Sequence, residues 1–142
     1  MLTNMTLLII ALIGLLDTAY LTWQRYQSFS LTCGILEGCN QVTASVYSVF
    51  GGMPVAIWGL FYYLTAVTIA GIYWKNKDIT WLKLLALLTS LGFLVSLWFT
   101  YLQTAVIGAF CSYCLISALV STLLFGISLF QLSKGTKISK VH

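Results

Sequence analysis

Residues 109–132, AFCSYCLISALVSTLLFGISLFQL, decide how this chain folds. The stretch contains no charged residue. About 20 apolar residues cross a bilayer's hydrocarbon core, and counting that many back from Leu132 reaches Tyr113. A membrane-crossing helix is therefore predicted over 113–132, with Cys111 and Cys114 bracketing its entry. Two thiols one helical turn apart at the mouth of an apolar helix call for a chemical explanation.

Three more apolar runs of spanning length, 6–23, 55–74 and 81–102, precede this one. Of the 142 residues, 60% are hydrophobic and only 7% charged, and the mean hydropathy is +0.96. Such usage lies far from that of a soluble domain. The expected fold is an all-α membrane protein, a bundle of four transmembrane helices forming one domain over 1–142 with no soluble domain appended. The first run lacks a basic leader, and LLDTAYLTW offers no small-residue cleavage site, so it reads as a retained anchor.

Orientation follows from the basic residues. Lys75, Lys77 and Lys83 surround the second connection, and Lys134, Lys137 and Lys140 follow the fourth run. Cytoplasmic loops carry such an excess, which places both termini on the cytoplasmic side of the cell membrane. Residues 24–53 and the turn at 103–108 then face outward, with Arg25 the single basic residue on that side. The net charge of +4 is a topology signal and not a nucleic-acid patch, because its charges flank spans instead of forming one soluble face.

The four cysteines, Cys33, Cys39, Cys111 and Cys114, all fall at or near the outer face, where disulfides persist. Two structural disulfides would be the plain reading. A C-x-x-C pair, however, closes a very small ring and in the chain-entropy account adds little stability, which suits a reversible couple better than a staple. A helix N-terminus also favours thiolate at Cys111 or Cys114. Cys114 lies roughly 4.5 Å deeper along such a helix, nearer a lipid-soluble partner. The Cys33–Cys39 segment holds Gly34 and Gly38, which ease the turns that pairing demands. Beyond it, Asn40 is a candidate cap, and Val42, Val46, Val49 and Phe50 form an apolar stripe ending at Gly51-Gly52. These residues predict a short extracytoplasmic lid helix between helices 1 and 2.

The order of these motifs resembles that of bacterial members of the vitamin K epoxide reductase family, in the single-domain form without a fused thioredoxin-like domain. The matching features are the loop pair Cys33 and Cys39, Ser45 shortly after it, Gly52-Met53-Pro54 entering the next span, Cys111-Ser112-Tyr113-Cys114 opening the last, and GLLDTAYLTW in the first. The resemblance implies a membrane thiol:quinone oxidoreductase. It would oxidise a separate DsbA-like or thioredoxin-like dithiol protein through Cys33/Cys39, pass the electrons to Cys111/Cys114, and reduce a membrane quinone of the ubiquinone, menaquinone or vitamin K type, with no metal. Ser45 would donate to a quinone oxygen by the same analogy. Depth and aromatic character add Asp17, Trp58, Tyr62, Trp98 and Tyr101 as expected quinone-binding residues.

Three other readings compete. A disulfide bond formation protein B type enzyme also has four spans and four cysteines, but its C-x-x-C comes first and here it comes second. Four thiols also suit zinc or copper, although one short C-x-x-C without a nearby His at an oxidising face argues against a metal site. A structural subunit with two inert disulfides is the third.

Overall fold

The computed structural model describes residues 2–27 and 38–139; Cys33 lies outside them. Four helices are long and apolar enough to cross a membrane, over Asn4–Tyr26, Val55–Asn76, Ile79–Ile107 and Ser112–Gly135. They are α1 (Leu2–Tyr26), α3 (Val55–Asn76), α4 (Ile79–Tyr101), which runs on into a π-helical turn over Leu102–Ile107, and α5 (Ser112–Ser139). A short α2 (Cys39–Ala44) lies between the first two. The four-span bundle expected from the apolar runs is the observed architecture.

Why the chain turns where it does is readable locally. Lys77 ends α3 in the left-handed region at φ 55°, and its N–H returns to the Tyr73 carbonyl. Asp78 then caps α4 by accepting from the Thr80 N–H at 3.1 Å. Two residues thus reverse the chain, and α3 and α4 are antiparallel neighbours. Leu7, Ala11, Tyr63, Ala66, Ile69, Leu85, Val120 and Leu124 form the buried centre where all four helices meet. Gly14 and Gly92 are the close approaches: a Cβ at Gly14 would run into the Tyr63 ring, and one at Gly92 into the Tyr62 hydroxyl end. Both tyrosines are thereby admitted to the interior.

The lid differs from its expected form. The helix spans only Cys39–Ala44, its N-cap is Gly38 without any side-chain cap, and Asn40 lies inside it. Ser45 is extended at ψ 154°, which breaks the helical stripe. Val42 is buried, whereas Val46 and Phe50 are 82% and 70% exposed. After a 3-10 turn over Val46–Ser48, strand β1 (Val49–Phe50) pairs antiparallel with β2 (Met53–Pro54). Gly51 and Gly52, at φ 61° and 81°, make the two-residue connection. Both positions need positive φ in hairpin turns matched to strand twist, which glycine supplies at no steric cost. The Trp58 indole donates to the Phe50 carbonyl at 3.2 Å and ties this hairpin to α3.

Candidate active site

Cys111 is the N-cap of α5. Its carbonyl accepts the Leu115 N–H at 3.0 Å, and its sulfur accepts the Cys114 N–H at 3.4 Å. The sulfur thus fills the place a serine or aspartate oxygen takes at other helix starts. Both residues are free thiols. Cys111 is lowered from 9.0 to about 7, chiefly because the Cys114 thiol donates to its sulfur; burial opposes this, and backbone N–H groups of Cys114 and Tyr113 assist. A sulfur that collects donors from a helix start is held toward its thiolate form.

The Cys111 N–H is in turn accepted by the Gln103 side-chain oxygen at 3.0 Å. Gln103 sits in the π-helical turn and is 1% exposed. The chain between them turns at Gly108, in the left-handed region at φ 67°. A π-turn at the end of a span is a frequent mark of a functional site, since it redirects a side chain from the ordinary helical register.

Cys39 and Cys111 are both fully buried and belong to one cluster with Leu21, Val42 and Ala109. Cys39 is disulfide-bonded. Gly38 sits so close to the peptide before Cys111 that a Cβ there would lie 2.6 Å from the Phe110 oxygen and 2.7 Å from its nitrogen. Its φ of −81° is open to any residue, so the reason for glycine is close approach and not the turn it was expected to ease. Arg25, at the end of α1, donates to the Thr43 carbonyl at 2.6 Å and straps α2 to the bundle.

Below the lid lies a cavity of about 440 Å³ between α1, α3, α4 and α5. Its volume falls within the range typical of small-molecule sites. Of the residues named from the sequence, Cys114, Ser45, Trp58 and Tyr62 line it. Asp17, Trp98 and Tyr101 are not part of that lining. Trp98 and Tyr101 are 60% and 56% exposed on the outer side of α4, while the adjacent Phe99 and Thr100 turn to the cavity. Asp17 is half-buried, with one carboxylate oxygen sealed from solvent and unpartnered. Tyr62 and Ser121 hydroxyls lie 3.4 Å apart on the wall, and Tyr63 donates to the Ser117 carbonyl at 2.8 Å. The walls are otherwise mainly aliphatic and aromatic.

A profile of the vitamin K epoxide reductase family matches residues 5–129. The chain belongs to that family. It is also 31% identical over 140 residues to the "Thiol-disulfide oxidoreductase LTO1" of Arabidopsis thaliana, an alignment covering 90% of this chain and 35% of that protein. The chain thus spans about a third of the length of this curated relative. The matched range reaches into all four spans and includes the loop pair, the Gly52-Met53-Pro54 entry and the C-x-x-C. Sequence reading missed Gln103, Thr18 and Arg25 as cavity residues. The signal for Gln103 was present, since an amide embedded in an apolar run is costly and usually functional, but the run appeared to end at Leu102.

Proposed function

We propose that this chain is a membrane thiol:quinone oxidoreductase that oxidises a DsbA-like or thioredoxin-like dithiol protein and so drives disulfide formation on the extracytoplasmic side. The observation that carries the reading is the division of the two thiols of the C-x-x-C. Cys111 is sealed in the cluster that also holds Cys39, and Cys114, packed against that cluster, also lines the apolar cavity. In this reading Cys111 exchanges with Cys39 and Cys114 meets the lipid-soluble acceptor.

Electrons then move in pairs. The partner's dithiol reduces a Cys33/Cys39 disulfide and leaves as its own disulfide. The Cys39 thiolate attacks the Cys111 sulfur of the Cys111/Cys114 disulfide, and Cys114 departs as thiolate at the cavity. Cys33 attacks Cys39 and frees Cys111, which restores the lid disulfide. Cys111 and Cys114 reclose with loss of two electrons and two protons, and the quinone gains two of each as it becomes quinol. Direction follows from potential: a DsbA-like couple near about −120 mV is itself strongly oxidising and needs a stronger acceptor, which a respiratory quinone supplies. Ser45, Trp58 and Tyr62 are assigned to the quinone chamber. Asp17, Trp98 and Tyr101, outside its lining, receive no contact with the ring.

Separating the two pairs tests this. The Cys33→Ser/Cys39→Ser protein, given dithiothreitol, should reduce a short-tailed ubiquinone, yet fail with a reduced DsbA-like protein. Cys114→Ser should lose both activities. Equal loss with both donors in a folded double variant would refute the relay.

A further inference from the structure

Building on that reading, we propose that Gln103 is a bifunctional residue of the acceptor site: its oxygen fixes the peptide of Cys111 while its amide NH2 donates to a carbonyl oxygen of the quinone. The side chain is 1% exposed, and a primary amide so deeply buried in apolar surroundings is costly unless its groups are used. Its oxygen is used, by the Cys111 N–H at 3.0 Å. Because a backbone N–H only donates, the atom facing it must be the acceptor, which settles which way the amide points. Nε2 is the remaining end.

No described residue accepts a hydrogen bond from that Nε2, and it is not among the sealed polar atoms, unlike both ends of the Gln131 amide. Gln103 forms part of the cavity wall together with Cys114 and Ser117. The chamber is the open space that this side chain borders, and Nε2 is assigned to it. A single planar amide then links the two halves of the reaction: one end holds the backbone of the dithiol, the other meets the acceptor.

Chemistry explains why a donor belongs there. As Cys111 and Cys114 close to a disulfide, two electrons pass to the quinone and negative charge grows on its oxygens before the protons arrive. An N–H already aimed at that oxygen, in a mainly apolar chamber, is stronger against the charged product than against the neutral carbonyl. The amide keeps its own protons. The quinol takes one proton from the Cys114 thiol and the other from solvent, to which the ionised Cys111 has given its own.

The test uses full-length protein reduced beforehand, in single turnover, with short-tailed ubiquinone or hydrogen peroxide as oxidant. Peroxide carries no carbonyl and oxidises the dithiol through a sulfenic acid. Gln103→Leu and Gln103→Met both remove the donor, the second keeping length and flexibility. For each, the single-turnover rate at subsaturating quinone, which reads transition-state stabilisation, should fall about tenfold, as expected for one lost hydrogen bond, while the peroxide rate stays within about threefold. Unchanged quinone dependence in either folded variant would overturn the proposal. So would equal losses toward both oxidants, or failure of both variants to fold, since each outcome leaves Gln103 only the task of holding Cys111. Should the unaltered protein itself not reduce quinone, the parent reading fails instead.

Discussion

Gly38→Ala would place one methyl between the start of α2, at Cys39, and the segment before Cys111. Its Cβ would stand 2.6 Å from the Phe110 oxygen, against the 3.4 Å at which ordinary contact begins, so α2 and the segment before Cys111 must part by about 0.8 Å. The obstructing atoms are backbone and cannot rotate away. Overpacking of this kind costs about 1–3 kcal/mol, which a four-span bundle survives. Geometry suffers more, because transfer between Cys39 and Cys111 needs sulfur in line with sulfur, and a displacement near 1 Å can cost on the order of 10²-fold. Quinone reduction driven by a reduced DsbA-like protein should fall between about tenfold and a hundredfold. The same variant with dithiothreitol, which bypasses the lid pair, should stay within about twofold of the unaltered rate. Parallel assays with the two donors on one preparation measure this. Equal losses, or no loss with the protein donor, would refute the argument that Gly38 brings the pairs together.

Two other expectations follow from the site and the charges. Cys111 lies near 7 in the reduced protein, so its thiolate is lost below that pH and gained above it; single-turnover quinone reduction should rise through about pH 7 and level off. In Cys114→Ala, which removes the thiol that chiefly lowers Cys111, alkylation of Cys111 by a small uncharged reagent should titrate nearer the ordinary 9.0, and an unmoved titration would contradict the stated cause. For topology, Val46→Cys at the exposed lid and Lys77→Cys at the opposite connection should differ on intact cells, only the first reacting with a membrane-impermeant thiol reagent. The reverse pattern would invert the assigned orientation.

The spans were legible because membrane length is a one-dimensional property: a run of about 20 apolar residues is readable without knowing its neighbours. The pairing of Cys111 with Cys114 was legible for a similar reason, since C-x-x-C puts both thiols within one helical turn of each other. Contacts made across the fold were not. Gln103 reaches Cys111 only because the end of α4 departs from ordinary helical register in the turn over Leu102–Ile107, and eight residues of intervening sequence carry no mark of that bond. Gly38 reads as a turn glycine until Phe110 is seen against it. The lid stripe failed because Ser45 leaves helical geometry, so Val46 and Phe50 no longer share a face with Val42. Trp98 and Tyr101 drew notice as aromatics at the right depth, but depth alone does not say which side of α4 faces the cavity.

Transfer between Cys39 and Cys111 is the central step of the proposed relay, and a trapped bridge reports it most directly. In that proposal Cys33 resolves the Cys39/Cys111 mixed disulfide, so Cys33→Ser protein, isolated after thiol blocking and digested without reductant, should yield a peptide joining Cys39 to Cys111 while Cys114 carries the blocking group. Recovery of an intact Cys111–Cys114 disulfide, with Cys39 blocked or joined to any other cysteine, would contradict the relay.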